Sequence, residues 1–226
     1  YAGEVQVVHP RRDAIAGYKC VRSIAELSAA PDAVFLAVNA DATIVALNEL
    51  KGRDAGGVVC YASGFSEIGE AGAQRNLDFI KASGEMAVVG PNCYGLVNYV
   101  NHGSIWPALY PELASKRGAA VISQSGNVTG HIVSNDRSVP FSYLISAGNQ
   151  GVLGFEDYID YLVDDPHVTC LGLFMEGIRD VALFAQACLR ARAKGMPVIV
   201  CRSGRSELGA AMAASHTSSL AGRNDY

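Results

Sequence analysis

The segment AASHTSSLAG, residues 213–222, surrounds His216 with small side chains. An imidazole left this accessible can serve as a nucleophile or proton carrier; a lone histidine on a surface loop can equally be inert. FMEGIRD sets Glu176 at the end of an otherwise apolar run, VTCLGLFM. A carboxylate there can accept the Nδ1–H of a histidine, fixing its tautomer and raising the nucleophilicity of Nε2, or it can be a solvated or helix-capping acid. ISQSGNVTG places Ser125, Gly126 and Asn127 where a strand hands over to a helix. Backbone N–H groups and the positive end of the helix dipole make that junction a seat for an anion, with an ordinary N-cap as the alternative. The first glycine of a G-x-S-x-G elbow is missing, so Ser125 is not expected to be a hydrolase nucleophile.

Further groups recur after strands. RSGRSE offers Arg202 and Arg205 to an anion, and HPRR offers Arg11 and Arg12, unless these are solvated turns. GPNCYG forms a tight loop exposing Asn92 and Cys93, with no histidine close in sequence to activate the thiol. His102, His131 and His167 show no spacing for a metal, and no metal site is expected.

These groups need a frame, and the hydropathy pattern supplies one. EVQVVHP, DAVFLAV, GGVVCYA and EMAVVG read as strands alternating with helices over residues 23–29, 41–50 and 67–83. Residues 99–117, with two prolines and a tryptophan, interrupt the rhythm. It then resumes with AAVIS, FSYLISA, VTCLGLFM and PVIVC as strands, and helices over residues 127–136, 155–163, 181–194 and 207–214. Continuous apolar strands alternating with helices indicate parallel sheets buried on both faces. The expected fold is α/β, two tandem doubly wound parallel-sheet domains over residues 1–104 and 105–226. Ligands then sit at the carboxyl ends of the strands, where the glycine-rich and polar clusters fall.

A net charge of −4 argues against a nucleic-acid or membrane-surface binder. The six cysteines are scattered without a CxxC pair and read as free thiols of a reducing cytoplasm. No apolar run is long enough to span a membrane.

Read together and in order, GPNCYGLVN, ISQSGN, YLISAGNQGVLGFEDYIDYLVDDP, LFMEGIRD, PVIVCRSGRSELGA and SHTSSLAG closely resemble the NDP-forming (ADP-forming) acyl-CoA synthetases, relatives of the succinyl-CoA synthetase alpha subunit. The resemblance runs from about Glu4 onward. It implies a Rossmann-like CoA-binding domain followed by a flavodoxin-like ligase domain. It also implies the chemistry: a carboxylic acid, CoA and ATP give acyl-CoA, ADP and phosphate through an acyl phosphate and a phosphohistidine.

By this resemblance His216 matches the phosphorylated histidine, Glu176 the acid that orients it, and Ser125, Gly126 and Asn127 the phosphate cradle. Pro10 and Arg11 match the residues that meet coenzyme A, with Val38, Asn39, Ser63, Gly64, Phe65, Asn92 and Cys93 lining the rest. ATP or ADP with Mg²⁺ belongs on an ATP-grasp domain or beta subunit, which is absent from this sequence. The family's usual first strand and glycine-rich turn are expected ahead of Tyr1, and an oligomer is expected. Two departures stand out: Gly148-Asn149-Gln150-Gly151-Val152 lacks the acid pair common in that loop, and Ser218 replaces a frequent glycine. The alternative is a non-catalytic CoA-binding or regulatory module, such as the synthetase-like half of a protein acetyltransferase. A nicotinamide oxidoreductase is disfavoured because no G-x-G-x-x-G follows a strand.

Overall fold

The computed structural model describes residues 3–113, 117–134 and 137–204. The chain begins with β1 (Val7–Val8), β2 (Ala14–Ile15) and β3 (Tyr18–Val21), a small sheet of order β1-β3-β2. EVQVVHP thus contributes only two paired residues, and they stand outside the larger sheets. The helix expected at residues 23–29 is a single 3-10 turn, Ile24–Glu26, whose Ser23 makes no side-chain cap.

The first open sheet follows: β4 (Val34–Leu36), α1 (Ala40–Lys51), β5 (Gly57–Cys60), α2 (Glu70–Ser83) and β6 (Ala87–Val89), with strands parallel in the order β4-β5-β6. Asn39 starts α1 by accepting the Ala42 N–H at 2.9 Å. Its buried residues Ala40, Thr43, Leu47 and Leu50 recur at helical spacing and form the inward stripe. α2 supplies Phe79 and Ala82 to the same core, where Phe79 meets Phe65 edge to face at 5.0 Å.

The second unit consists of β7 (Gly95–Asn98), β8 (Gly118–Ser123), α3 (Gly126–Val133), β9 (Phe141–Ser146), α4 (Phe155–Leu162), β10 (Val168–Met175), α5 (Val181–Ala193) and β11 (Val198–Arg202). Its strand order is β11-β10-β8-β9-β7. The α/β class with two tandem sheets is as the sequence implies, with one refinement: β7 runs antiparallel to β9, pairing Gly95 with Ser146 and Asn98 with Tyr143. By sheet membership the chain enters the second unit at Gly95, ahead of the division expected after residue 104. An antiparallel edge strand is common on such sheets.

From β8 the chain moves to β9 on one side and then returns to β10 on the other. β8 and β10 therefore flank the switch point, where the loops leaving the two strands diverge and open a crevice. The two units also share apolar packing, since Val59, Val89 and Cys93 of the first belong to one core with Ile122, Ile145, Phe155 and Leu171 of the second.

Gly72 is where α2 crosses the turn ahead of it, and a Cβ added there would lie 1.7 Å from the Phe65 carbonyl oxygen. Gly72→Ala should therefore push α2 off that turn and lower stability by about 1–3 kcal/mol. Denaturant unfolding followed by circular dichroism would measure this, and an unchanged midpoint would contradict it.

Candidate functional site

A cleft of about 450 Å³ opens between the two units at the switch point. Tyr61, Ser63, Ser66, Asn92, Cys93 and Tyr94 line it from the first unit's side, and Gln124, Ser125, Gly126, Asn127, Gly148, Asn149 and Glu176 from the second.

The second unit's wall starts at the end of β8. The buried Ser123 hydroxyl donates to the Ser125 carbonyl at 2.8 Å and accepts the Ser125 N–H at 3.1 Å, folding the chain tightly before α3. Ser125 then caps α3, its Oγ accepting the Val128 N–H at 3.3 Å. Gly126 and Asn127 head the helix, and N–H groups in the first turn have no acceptor within a helix. That leaves the junction suited to an anion. Gln124 reaches across the switch point: its Oε1 accepts the N–H of Glu176 and that of Gly177, the latter at 2.9 Å. The half-buried Glu176 is thus held beside the start of α3 through its backbone.

The loop carrying Glu176 is anchored from behind. Glu156, in the first turn of α4, is only 4% exposed and receives Arg179 Nη2 at 2.6 Å and Nε at 3.2 Å. Arg179 also donates to the Val152 carbonyl. A carboxylate this buried is tolerable only when paired. Asp180 caps α5 by accepting the Leu183 N–H at 2.9 Å. EGIRD is therefore fixed at both ends.

From the first unit, the loop after β6 meets the loop after β9. Asn149 N–H donates to the Pro91 carbonyl at 2.9 Å, Gly151 N–H to the Gly90 carbonyl at 2.9 Å, and Asn92 Nδ2 to Asn149 Oδ1 at 3.2 Å. Gly148 has φ +58°, and a Cβ there would lie 2.3 Å from the Pro91 oxygen. Glu67 joins the same seam, accepting the Gly64 N–H, the Phe65 N–H at 3.1 Å and Asn149 Nδ2. Arg75 adds a tie from α2, donating to the Gly64 carbonyl at 2.8 Å and pairing with Asp41 of α1.

Of the residues expected to act, the cleft gathers Ser63, Asn92, Cys93, Ser125, Gly126, Asn127 and Glu176. Pro10, Arg11, Val38, Asn39, Gly64 and Phe65 are not among its lining. Pro10 and Arg11 sit on an exposed turn in which His9 Nδ1 accepts the N–H groups of Arg11 and Arg12. Val38 is exposed and Asn39 is engaged as a cap. Phe65 is wholly buried, so that position offers a ligand its backbone rather than its ring. The Cys93 thiol also points inward, donating to the Cys60 carbonyl at 3.3 Å. Burial pushes it up to about 12, and pushes Cys60 up to about 11. His216 and Arg205 lie outside the described residues. Among the described residues no cluster of His, Cys, Asp or Glu could hold a metal ion, and no helix is long and apolar enough to cross a membrane.

Sequence reasoning passed over Tyr61, Tyr94, Gln124, Glu67 and Asn149 individually. Tyr94, Gln124 and Asn149 stood in the loops after strands, Tyr61 in an expected strand and Glu67 at the head of an expected helix, and their partners are distant in the chain. Only the clustering of polar residues after strands pointed to them.

Comparison with known proteins places both units in known domain families. Residues 2–99 match the CoA binding domain family, and residues 116–226 match the succinyl-CoA ligase like flavodoxin domain. The chain is 33% identical to a trans-feruloyl-CoA synthase from an unknown prokaryotic organism, over 100% of this chain and 33% of that protein. It is 34% identical to the alpha subunit of ADP-forming acetate–CoA ligase II of Pyrococcus furiosus, over 97% of this chain and 48% of that one. The chain thus spans a third to a half of the length of these relatives. A dinucleotide forming acetyl-coenzyme A synthetase 1 from Ca. Korarchaeum cryptofilum, solved in its apo form, superposes with a TM-score of 0.85 at 26% identity, over 98% of this chain and 48% of that one. The same enzyme has been solved in complex with phosphate and ADP, and that structure superposes with a TM-score of 0.84.

Removing the partner of Glu156 should be costly. Arg179→Ala is expected to lower stability by roughly 2–3 kcal/mol, below the 3–5 kcal/mol of a fully buried pair because Arg179 is 38% exposed. Chemical denaturation would read it, and Glu156→Gln with Arg179→Ala together should recover part of the loss. The thiols give a second check. Native protein treated with iodoacetamide near neutral pH should be alkylated at the exposed Cys201 and spared at Cys93 and Cys60, as mapped by peptide mass spectrometry.

Proposed function

We propose, for a chain that belongs to the NDP-forming acyl-CoA synthetase family through its CoA-binding and succinyl-CoA ligase-like domains, that it is the CoA-binding and ligase half of an acid–thiol ligase. The reaction is a carboxylic acid plus CoA plus ATP giving acyl-CoA, ADP and phosphate, with an acyl phosphate on the path. The observation that carries this reading is the cleft at the switch point, where Glu176 and the start of α3 face the CoA-domain loops bearing Ser63 and Asn92.

The roles follow from chemistry. The N–H groups of Gly126 and Asn127, with the helix dipole behind them, stabilise the charge of phosphate or acyl phosphate. Glu176 accepts the Nδ1–H of His216 when the histidine enters the cleft, leaving Nε2 as the nucleophile toward phosphorus. As the Nε2–P bond forms, the acyl carboxylate leaves, or the enzyme-bound phosphoryl is returned to it in the ligation direction. CoA delivers its thiol from the side of Ser63 and Asn92. The small residues around His216 let the loop travel between this cleft and a nucleotide site. That second site, with ATP or ADP and Mg²⁺, belongs to an ATP-grasp domain or beta subunit. The Cys93 thiol, buried and held protonated, has no part in the transfer. Six free cysteines fit a reducing, cytoplasmic setting.

Phosphorylation tests the reading. Full-length protein with its nucleotide-binding partner, incubated with radiolabelled ATP and Mg²⁺, should acquire an acid-labile, base-stable label. His216→Ala should abolish it, and Glu176→Gln should slow it by roughly 10²-fold. A label that survives His216→Ala overturns the assignment and favours a regulatory CoA-binding module.

A further inference from the structure

The loop after β5 is gripped from both sides at one residue. Glu67 accepts the Gly64 N–H, and Arg75 Nη1 donates to the Gly64 carbonyl at 2.8 Å. The same carboxylate accepts the Phe65 N–H at 3.1 Å, and the Ala62 carbonyl accepts the Asn92 N–H at 2.8 Å. Gly64 has φ +102°, a conformation glycine adopts at little cost, so the turn suits this grip. Among these fixed points Ser63 and Ser66 line the cleft.

Glu67 also reaches across to the second unit. Its Oε2 accepts Asn149 Nδ2 from the loop after β9, and Asn149 Oδ1 in turn accepts Asn92 Nδ2 at 3.2 Å. Asn92 and Asn149 line the cleft, and Glu67 stands behind them. An ionised carboxylate offers only acceptors, which is what three converging N–H donors require. An amide in its place would set one donor against another.

We propose that Glu67 is a positioning residue for CoA: it presents the turn bearing Ser63 and Ser66 to the cleft and, through Asn149, locks that turn to the ligase unit. This rests on the ligase reading above and adds to it a residue that touches none of the reacting groups.

Two measurements on the full-length protein with its nucleotide-binding partner test this: calorimetric titration of CoA, and the rate of labelling from radiolabelled ATP and Mg²⁺. Glu67→Gln should weaken CoA by roughly tenfold, although removing a negative charge would by itself favour an anionic ligand. Its label should form at the wild-type rate, because that step needs only the ligase unit and its partner. Asn149→Asp alone sets two carboxylates against each other and should also weaken CoA. Glu67→Gln combined with Asn149→Asp reverses the direction of the bond between the two side chains and keeps the net charge. One amide oxygen can hold two adjacent N–H groups, as Gln124 does for Glu176 and Gly177. The double variant should therefore return CoA affinity to within about threefold of wild type. Single variants that bind CoA as wild type does, a double variant no better than the singles, or a Glu67→Gln protein that loses label and CoA together would each overturn the inference. A wild type that binds no CoA or takes up no label instead fails the ligase reading, and this inference goes with it.

Discussion

The structure turns on a short stretch of backbone pairing between two loops from different sheets. Gly90 and Pro91 leave β6, Gly148 to Gly151 leave β9, and each loop satisfies the other's peptide groups through the bonds from Asn149 to Pro91 and from Gly151 to Gly90. Buried peptide groups must be paired somewhere, and here neither loop can achieve it alone. That is why Gly148 and Gly151 have no room for a side chain: the backbones and the rings of Phe79 and Pro91 already occupy the space. The seam aligns the carboxyl ends of both sheets, so that loops folding in separate units face one cleft.

Around the seam, the half-buried Glu67 and the buried Glu156 are both set against donors. Glu67 collects two backbone N–H groups and the Asn149 amide, and Glu156 collects the Arg179 guanidinium. Neither carboxylate lines the cleft, but each fixes a loop that does. Gln124 performs the equivalent task with a neutral amide, gathering the N–H groups of Glu176 and Gly177. Among the described residues Glu176 is the one acid lining the cleft, and the positions around it are held by hydrogen bonds to the backbone.

Local features of the sequence proved legible. Apolar runs, Ser125 as a cap, and glycine-rich clusters after strands are written within a few neighbouring residues, and helices α1 to α5 fall close to their expected places. Pairings set by tertiary contact were not legible. EVQVV reads as a strand by β-branching alone, yet only Val7 and Val8 pair. GLVN carries no signal for direction, so its antiparallel place beside β9 depends on a partner nearly fifty residues away. Likewise Glu67 and Asn149 are 82 positions apart in sequence. Phe65 and Cys93 illustrate the limit at the candidate site: both stand in loops after strands, but which way each side chain turns depends on the core beneath.

The edge strand β7 has a consequence for inheritance. Gly95 to Asn98 follow directly from the loop after β6 in the first unit, yet complete the sheet of the second. An exchange of genes that joined this CoA-binding half to a foreign ligase half at the visible linker around residues 99–117 would carry the strand with the wrong partner. The new sheet would receive an edge shaped for another β9. The four paired positions of β7 and β9 therefore tie the two halves together as one folding unit.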